Sequence, residues 1–160
     1  MRFPALVLLL SIASAPTAIR AQPPADRDAV LKIVQAFFDT MTARDVEGAR
    51  KILMPQGRFH AMRIQDGKPD ARAFSNEEYF SQLASSKQVM HERIWNPEVR
   101  IHGLIATVWA PYDFWIDGKF SHCGIDAFDL IRTEEGWKIA GGAYTIEPKC
   151  EPSPLGPLKP

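Results

Sequence analysis

The chain has 160 residues, of which 19 are Lys or Arg and 19 are Asp or Glu, so its formal net charge is zero. This length is enough for one domain with a hydrophobic core and too short for two. The balanced charge and the lack of a basic stripe exclude a nucleic-acid-binding surface.

The N-terminus has the pattern of a secretory signal peptide. Arg2 precedes a short apolar run at 5–10, and small residues follow up to Ala21, as is typical of exported chains. The run is too short to span a bilayer. We predict a signal peptide over 1–21, a secreted or periplasmic location, and no membrane attachment after cleavage. A retained N-terminal anchor is the alternative.

Three segments have helical patterns. Asp45 is placed to cap a second helix, and Ser75 or Asn76 to cap a third. The first helix is predicted between residues 29 and 43, because its apolar residues recur at helical spacing. These residues are Val30, Ile33, Val34, Phe37, Phe38 and Met41.

Most of the remaining chain is rich in β-branched and aromatic residues, which favour strands. The stretch 65–74, with Gly67 and Pro69, is predicted to be a loop. Helices followed by a long antiparallel meander predict an α+β fold. The predicted strands are 58–64, 89–95, 98–102, 104–116, 120–132 and 137–146.

The C-terminal part combines a cysteine pair with a Pro-rich tail. Cys123 and Cys150 are the only cysteines, and in an oxidising compartment such a pair is usually bridged. They lie only a few residues from ideal pairing across the hairpin, so we predict a disulfide that stabilises the fold by about 3 kcal/mol. They lack the spacing of a metal site. The tail, 151–160, is predicted to be disordered.

The order helix, helix, strand, helix and then a run of strands resembles the nuclear transport factor 2-like superfamily. The segment ARDVEGARKILMP (43–55) resembles its second helix, and WAPYDFWIDGKFSHCGIDAFDLIRTEEGWKI (109–139) is similar to its small secreted, SnoaL-like branch known as putative lumazine-binding. The resemblance covers 26–150. It implies a cone-shaped fold of three N-terminal helices packed on a strongly curved, mostly antiparallel sheet. It implies no single activity, because this architecture hosts isomerases, dehydratases, hydrolases, cyclases and binding modules.

The steroid isomerases of this fold allow a comparison by residue. Their pocket carboxylic acid corresponds to Asp126, their helix tyrosine to Phe37, and their catalytic base to Ala61. Two of the three chemical groups are therefore missing. The resemblance supports the cavity and argues against steroid isomerisation.

One predicted strand carries the main site candidates. Alternation places His122, Asp126 and Phe128 on one face, together with Phe120. Burial among aromatic rings would raise the pKa of Asp126 and let the neutral acid donate to a ligand. The alternative is a carboxylate paired with an arginine or with backbone groups. His122 lies about 13 Å away along a straight strand, so it would flank a ligand or be a rim residue without a role.

Further candidates lie on two other strands. By the resemblance, Tyr112 and Phe114 point into the cavity, and the Tyr112 hydroxyl would donate either to a ligand or to the backbone. His60 adjoins the vacant base position, and an alternative strand register would aim it inward as a general base.

Three hypotheses follow. The first is an exported module that binds a small apolar or aromatic molecule without a cofactor. The second is an isomerase, dehydratase or cyclase with Asp126 as acid and His60 or His122 as base. The third is an interaction protein that forms a homodimer through the outer sheet face, which carries Trp109 and Trp115. The predicted ligand contacts are Tyr112, Phe114, His122, Asp126 and Phe128.

Overall fold

A computed structural model of the protein describes residues 24–151 and 153–158. The predicted signal peptide, 1–21, lies outside this range, so its cleavage stays a prediction. Searching the described residues for a helix with the length and hydropathy of a membrane span gives none. The elements are α1 (Pro24–Ala43), α2 (Val46–Ile52), β1 (Leu53–Gln65), β2 (Lys68–Ser75), α3 (Asn76–Ser85), β3 (Met90–Ile94), β4 (Glu98–His102), β5 (Ile105–Ile116), β6 (Lys119–Thr133) and β7 (Gly136–Ile146).

Seven strands form one sheet in the order β2-β1-β7-β6-β5-β3, with β4 also paired to β5. Every pairing is antiparallel except that of β1 with β7, which is parallel. The predicted α+β class with a mostly antiparallel sheet is therefore confirmed. We call the sheet face that packs against α1 the inner face and the opposite one the outer face.

The predicted loop at 65–74 is wrong, because residues 66 and 67 form a tight turn and β2 follows it, so a β1–β2 hairpin precedes α3. Asp66 and Gly67 have φ of 52° and 73° and form the tight turn between β1 and β2. An Asp-Gly turn is a strong hairpin signal. Pro69 lies on β2, the edge strand, where a missing N–H breaks no ladder bond.

α2 and α3 begin where their caps predict, whereas α1 begins at Pro24, ahead of its predicted start at residue 29. The Asp45 side chain accepts from the Gly48 amide at 2.9 Å, and Ser75 with Glu78 forms a capping box at α3. The apolar stripe of α1 is buried and joins the core with inner-face residues of the sheet. Buried members of this core include Val30, Val34, Phe37, Phe38, Phe59, Val108, Phe128, Leu130 and Ile139.

A β-bulge in β6 decides which side chains face inward. Phe114 pairs with His122 and Trp115 pairs with Phe120, which leaves Ser121 as an extra residue. The bulge interrupts the alternation of faces, so Phe120 packs edge-on against Trp115 with ring centroids 5.7 Å apart. The prediction that Phe120 shares a face with His122 is therefore wrong.

The C-terminal segment is tied to the outer face. Cys123 and Cys150 form a disulfide with Cα atoms 6.3 Å apart. Beyond it, Arg93 Nη2 donates to the Gly156 carbonyl at 2.8 Å. The tail thus makes one contact with a side chain of β3, and the disorder of 151–160 stays a prediction.

Candidate functional site

A cavity of about 470 Å³ lies between α1, α3 and the inner face of the sheet. Its lining comes from both helices, from the segment between α3 and β3, and from every strand except β4. A volume of this size is typical of sites for small molecules.

The walls of the cavity are mainly aromatic. The Phe37 ring stacks on Phe59 with centroids 5.6 Å apart, and Phe59 stacks on Phe74 at 5.9 Å. Phe128 meets Phe37 edge-on, also at 5.9 Å. These rings come from α1, β1, β2 and β6, and they offer faces on which a flat apolar molecule can stack.

The structure brings the predicted ligand contacts together. All five of them line the cavity. This placement follows from strand alternation on β5 and β6, because the bulge at Ser121 leaves residues 122–128 in regular register. That they contact a ligand stays a prediction. The five residues are Tyr112, Phe114, His122, Asp126 and Phe128.

Asp126 is the most deeply buried acid of the cavity, with 2% of its surface exposed. No N–H or hydroxyl group of the described residues donates a hydrogen bond to its Oδ2. Burial raises the pKa of Asp126 to about 7, and a hydrogen bond with the Glu92 carboxyl group opposes that rise. The alternative interpretation, a carboxylate paired with an arginine, does not fit this environment.

The partner of Asp126 is Glu92, which is not among the five predicted ligand contacts. Burial raises its pKa well above the ordinary value, as do the negative charge of Asp126, the hydrogen bond between the two acids and the charge of Asp113. The two carboxyl groups can hydrogen-bond only when a proton lies between them. The β3–β5 register places Glu92 opposite Phe114, and this pairing of distant strands could not be read from the sequence.

Tyr112 does not offer its proton to a ligand. Its hydroxyl donates to the Thr145 carbonyl at 2.7 Å, so the backbone alternative describes this residue. The Tyr112 ring still forms part of the aromatic wall of the cavity, while its hydroxyl is already hydrogen-bonded. Burial also raises the pKa of Tyr112, which keeps the phenol protonated.

His122 lines the cavity as a neutral aromatic ring. It stacks on Phe114 with centroids 4.8 Å apart, and Tyr112 meets it edge-on. Burial lowers the pKa of His122, so the imidazole is uncharged at neutral pH. Its Nδ1 lies 3.0 Å from the hydroxyl oxygen of Ser121.

Two tyrosines that the sequence analysis did not single out also line the cavity. The Tyr79 hydroxyl, presented by α3, is buried and has no partner among the described residues. Burial raises the pKa of Tyr144 to about 12. A capping box that fixes the start of α3 was the available signal for Tyr79, since it sets which helix face meets the sheet.

His60 is not a candidate base. It is exposed on β1, whereas its neighbour Ala61 lines the cavity. The alternative register that would aim His60 inward is therefore wrong, because adjacent strand residues face opposite ways. Across the described ranges, no group of His, Cys, Asp and Glu side chains could hold a metal ion.

The outer face is organised around a different acid. Asp113 is 2% exposed and accepts from Arg93 Nε at 2.9 Å and from Arg93 Nη2 at 2.5 Å. The Arg93 guanidinium also lies 5.5 Å from the centre of the Trp115 ring. Trp109, further along β5, remains 54% exposed. A homodimer through this face stays a prediction.

Comparisons with known proteins support the fold. The sequence model of the family described as "Putative lumazine-binding" matches residues 25–145. A nuclear transport factor 2-like protein from Cytophaga hutchinsonii superposes with a TM-score of 0.63 at 15% identity, covering 75% of this chain and 97% of that chain. None of the curated proteins compared with the chain matches it.

Two further similar solved structures are described by an enzyme activity. One, described as a putative dehydratase of the nuclear transport factor 2-like family from Streptomyces avermitilis, has a TM-score of 0.61 at 16% identity, covering 78% of this chain and 98% of that chain. The other, described as a putative aromatic ring hydroxylase from Novosphingobium aromaticivorans, has a TM-score of 0.60 at 19% identity, covering 79% and 92%. At these identities the likeness shows the fold alone.

Proposed function

The chain belongs to the "Putative lumazine-binding" family and has the nuclear transport factor 2-like fold, and on that premise we propose that it binds a small, flat, largely apolar molecule. The observation that carries this proposal is the cavity of about 470 Å³, which combines stacked aromatic walls with buried acids. Sites for small molecules usually have this composition, with apolar walls and few polar groups.

The polar groups of the cavity favour a heterocycle over a plain hydrocarbon. The Tyr79 hydroxyl is buried without a partner, and no N–H or hydroxyl group of the described residues donates to Asp126 Oδ2. A guest with hydrogen-bonding atoms on its ring edge would satisfy both, whereas a hydrocarbon would leave them unmet. Lumazine, after which the family is named, is one such bicyclic heterocycle.

An exported location is the setting we propose for this activity. The predicted signal peptide supports it, and so does the Cys123–Cys150 disulfide, because such bridges persist in oxidising compartments.

A cavity-filling variant tests the binding function. Ala61→Phe places a ring in the cavity, whereas His60→Phe places the same ring on the exposed side of β1. We expect small heterocycles that copurify with the native protein, detected by mass spectrometry, to be lost from Ala61→Phe and retained by His60→Phe. Equal retention by both variants would show that the guest binds elsewhere.

A second candidate function is proton transfer within the bound guest, as in an isomerase, dehydratase or cyclase. The observation that favours it is the acid pair, because two carboxyl groups that share a proton can act as acid and base in turn. Glu92 or His122 would serve as base and Asp126 as acid. A bell-shaped dependence of turnover on pH, lost in Glu92→Gln, would select this function; binding without turnover would reject it.

A further inference from the structure

We propose that the guest of the cavity is a flat aromatic cation, held with a protonated nitrogen against the carboxyl groups of Glu92 and Asp126. The inference rests on the proposed binding function and specifies the class of ligand.

The acid pair, Glu92 and Asp126, has no counter-ion among the described residues that line the cavity. Among the described residues that line the cavity, the only cationic side chains are Arg63 and Arg72, on the strands of the β1–β2 hairpin. Arg63 is bonded to Asp70 at 2.8 Å with about half of its side chain exposed. Arg72 is exposed, and its charge acts on Tyr144. Water screens such exposed charges.

The basic residue nearest to Glu92 in sequence is unavailable to it. Arg93 follows Glu92 on β3, so it faces the opposite side of the sheet and is occupied by Asp113 and by the Gly156 carbonyl. His122 remains neutral because burial lowers its pKa. The described chain therefore supplies no positive charge to the two acids.

The acid pair keeps a negative charge when it holds one proton. One proton between the two carboxyl groups satisfies their mutual hydrogen bond and leaves one negative charge. In a buried site this charge is costly unless it is paired. A protonated nitrogen beside the pair would neutralise the charge and would supply the N–H donor that Asp126 Oδ2 lacks among the described residues.

The aromatic walls of the cavity also favour a flat cation. Phe37, Phe59 and Phe74 present stacked aromatic rings, and the faces of such rings attract a desolvated cation. The Tyr79 hydroxyl, buried and without a partner, can accept a second N–H. Electrostatics, hydrogen bonding and stacking thus favour one class of molecule.

The test compares three flat bicyclic probes by isothermal titration calorimetry at pH 7 on the mature chain. 4-Aminoquinoline is a cation at this pH, while 1-naphthol and lumazine are uncharged. We expect the wild type to bind 4-aminoquinoline about tenfold more tightly than either neutral probe, as one charge-assisted hydrogen bond would give. Asp126→Asn and Glu92→Gln should each lose this preference and retain 1-naphthol, whereas Asp129→Asn, an exposed acid of β6, should keep it.

The pH dependence separates a direct charge effect from a structural one. Lowering the pH from 7 to 5 protonates the pair, so the affinity for 4-aminoquinoline should fall in the wild type, while that for 1-naphthol should not. The same fall should be absent from Glu92→Gln, which keeps every other titratable or charged group of the cavity. Those groups are Arg63, Asp70, Arg72, Tyr79, Tyr112, His122, Asp126 and Tyr144.

The outcomes distinguish the inference from the function on which it rests. Neutral probes bound as tightly as the cation would overturn the cationic guest and leave the binding function standing. Failure of all three probes, together with equal copurification of heterocycles by wild type and Ala61→Phe, would overturn both. Retention of the cation preference in both Asp126→Asn and Glu92→Gln would place the charge recognition elsewhere.

Discussion

The two faces of the sheet each bury one aspartate, and the two residues are handled in opposite ways. Asp113 on the outer face and Asp126 on the inner face are both 2% exposed. Asp113 receives two hydrogen bonds from Arg93, while Asp126 Oδ2 receives none and lies beside a second acid, Glu92. Burial alone therefore does not distinguish a structural acid from a functional one; the partner does.

The difference has a physical basis. A buried carboxylate with a bidentate arginine is compensated, and removing either partner exposes the full cost of the other. A buried carboxyl group without such a partner lowers its cost by keeping a proton. The outer acid then contributes to folding, whereas the inner one keeps the hydrogen-bonding capacity that the proposed guest would use.

The largest expected effect is on the outer face. Arg93→Ala would leave Asp113 buried without compensation and release the tail carbonyl of Gly156. We expect the free energy of unfolding to fall by about 3 kcal/mol, measured by urea denaturation. Arg63→Ala, which removes an exposed pair with Asp70, is the matched control and should cost less than about 1 kcal/mol. Equal losses in the two variants would remove the contrast between the faces.

The next effect concerns the inner face and has a defined sign. The pKa of Asp126 and that of Glu92 are raised in the folded state, so the folded chain binds more protons than the unfolded chain between pH 4 and pH 7. Stability should therefore fall as pH rises through this window, by at most about 1.4 kcal/mol per pH unit for one proton.

The contribution of Asp126 is isolated by subtraction. His122, whose pKa is lowered by burial, adds a slope of opposite sign, and the tyrosines of the cavity titrate at higher pH. We compare the pH dependence of the midpoint of urea denaturation in wild type and in Asp126→Asn. The variant should lose part of the decline and become the more stable protein above pH 7. Parallel curves would mean that the pKa of Asp126 is the same in the folded and the unfolded chain.

The sequence predicted the parts of the fold that depend on local patterns. The apolar stripe of α1, the caps at Asp45 and Ser75, and the hairpin from β6 to β7 follow from periodicity and turn chemistry. The position of Asp126 in the cavity followed from alternation and from the resemblance to a known fold. These features need no knowledge of which strands are neighbours.

The parts that were missed depend on pairing between distant segments. Glu92 meets Asp126 only because β3 lies next to β5 and β5 next to β6. The bulge at Ser121 moves Phe120 to the outer face, and a bulge leaves no clear mark in a sequence. The Arg93–Asp113 pair likewise joins two strands, so neither acid could be assigned its partner from sequence alone.

The smallest expected effect repeats the contrast within the cavity, with two tyrosines in place of two acids. Tyr112 donates to the Thr145 carbonyl, whereas the buried hydroxyl of Tyr79 has no partner. Tyr112→Phe should cost about 1 kcal/mol of unfolding free energy, because it leaves a carbonyl unsatisfied, and should not change guest affinity. Tyr79→Phe should leave stability unchanged or raise it, and should weaken the binding of 4-aminoquinoline.

The paired measurement is informative because both variants delete the same atom. If the hydroxyl of Tyr79 binds the guest, its removal should lower the affinity and leave the stability unchanged. Removal of the hydroxyl of Tyr112, which is bonded within the fold, should lower the stability and leave the affinity unchanged. Urea denaturation measures the stability of both variants, and calorimetric titration measures their affinity for 4-aminoquinoline. Loss of stability in Tyr79→Phe would instead mean that its hydroxyl is satisfied within the folded chain. Asp126 Oδ2 would then be the only buried polar atom of the described cavity lining that no N–H or hydroxyl group of the chain reaches.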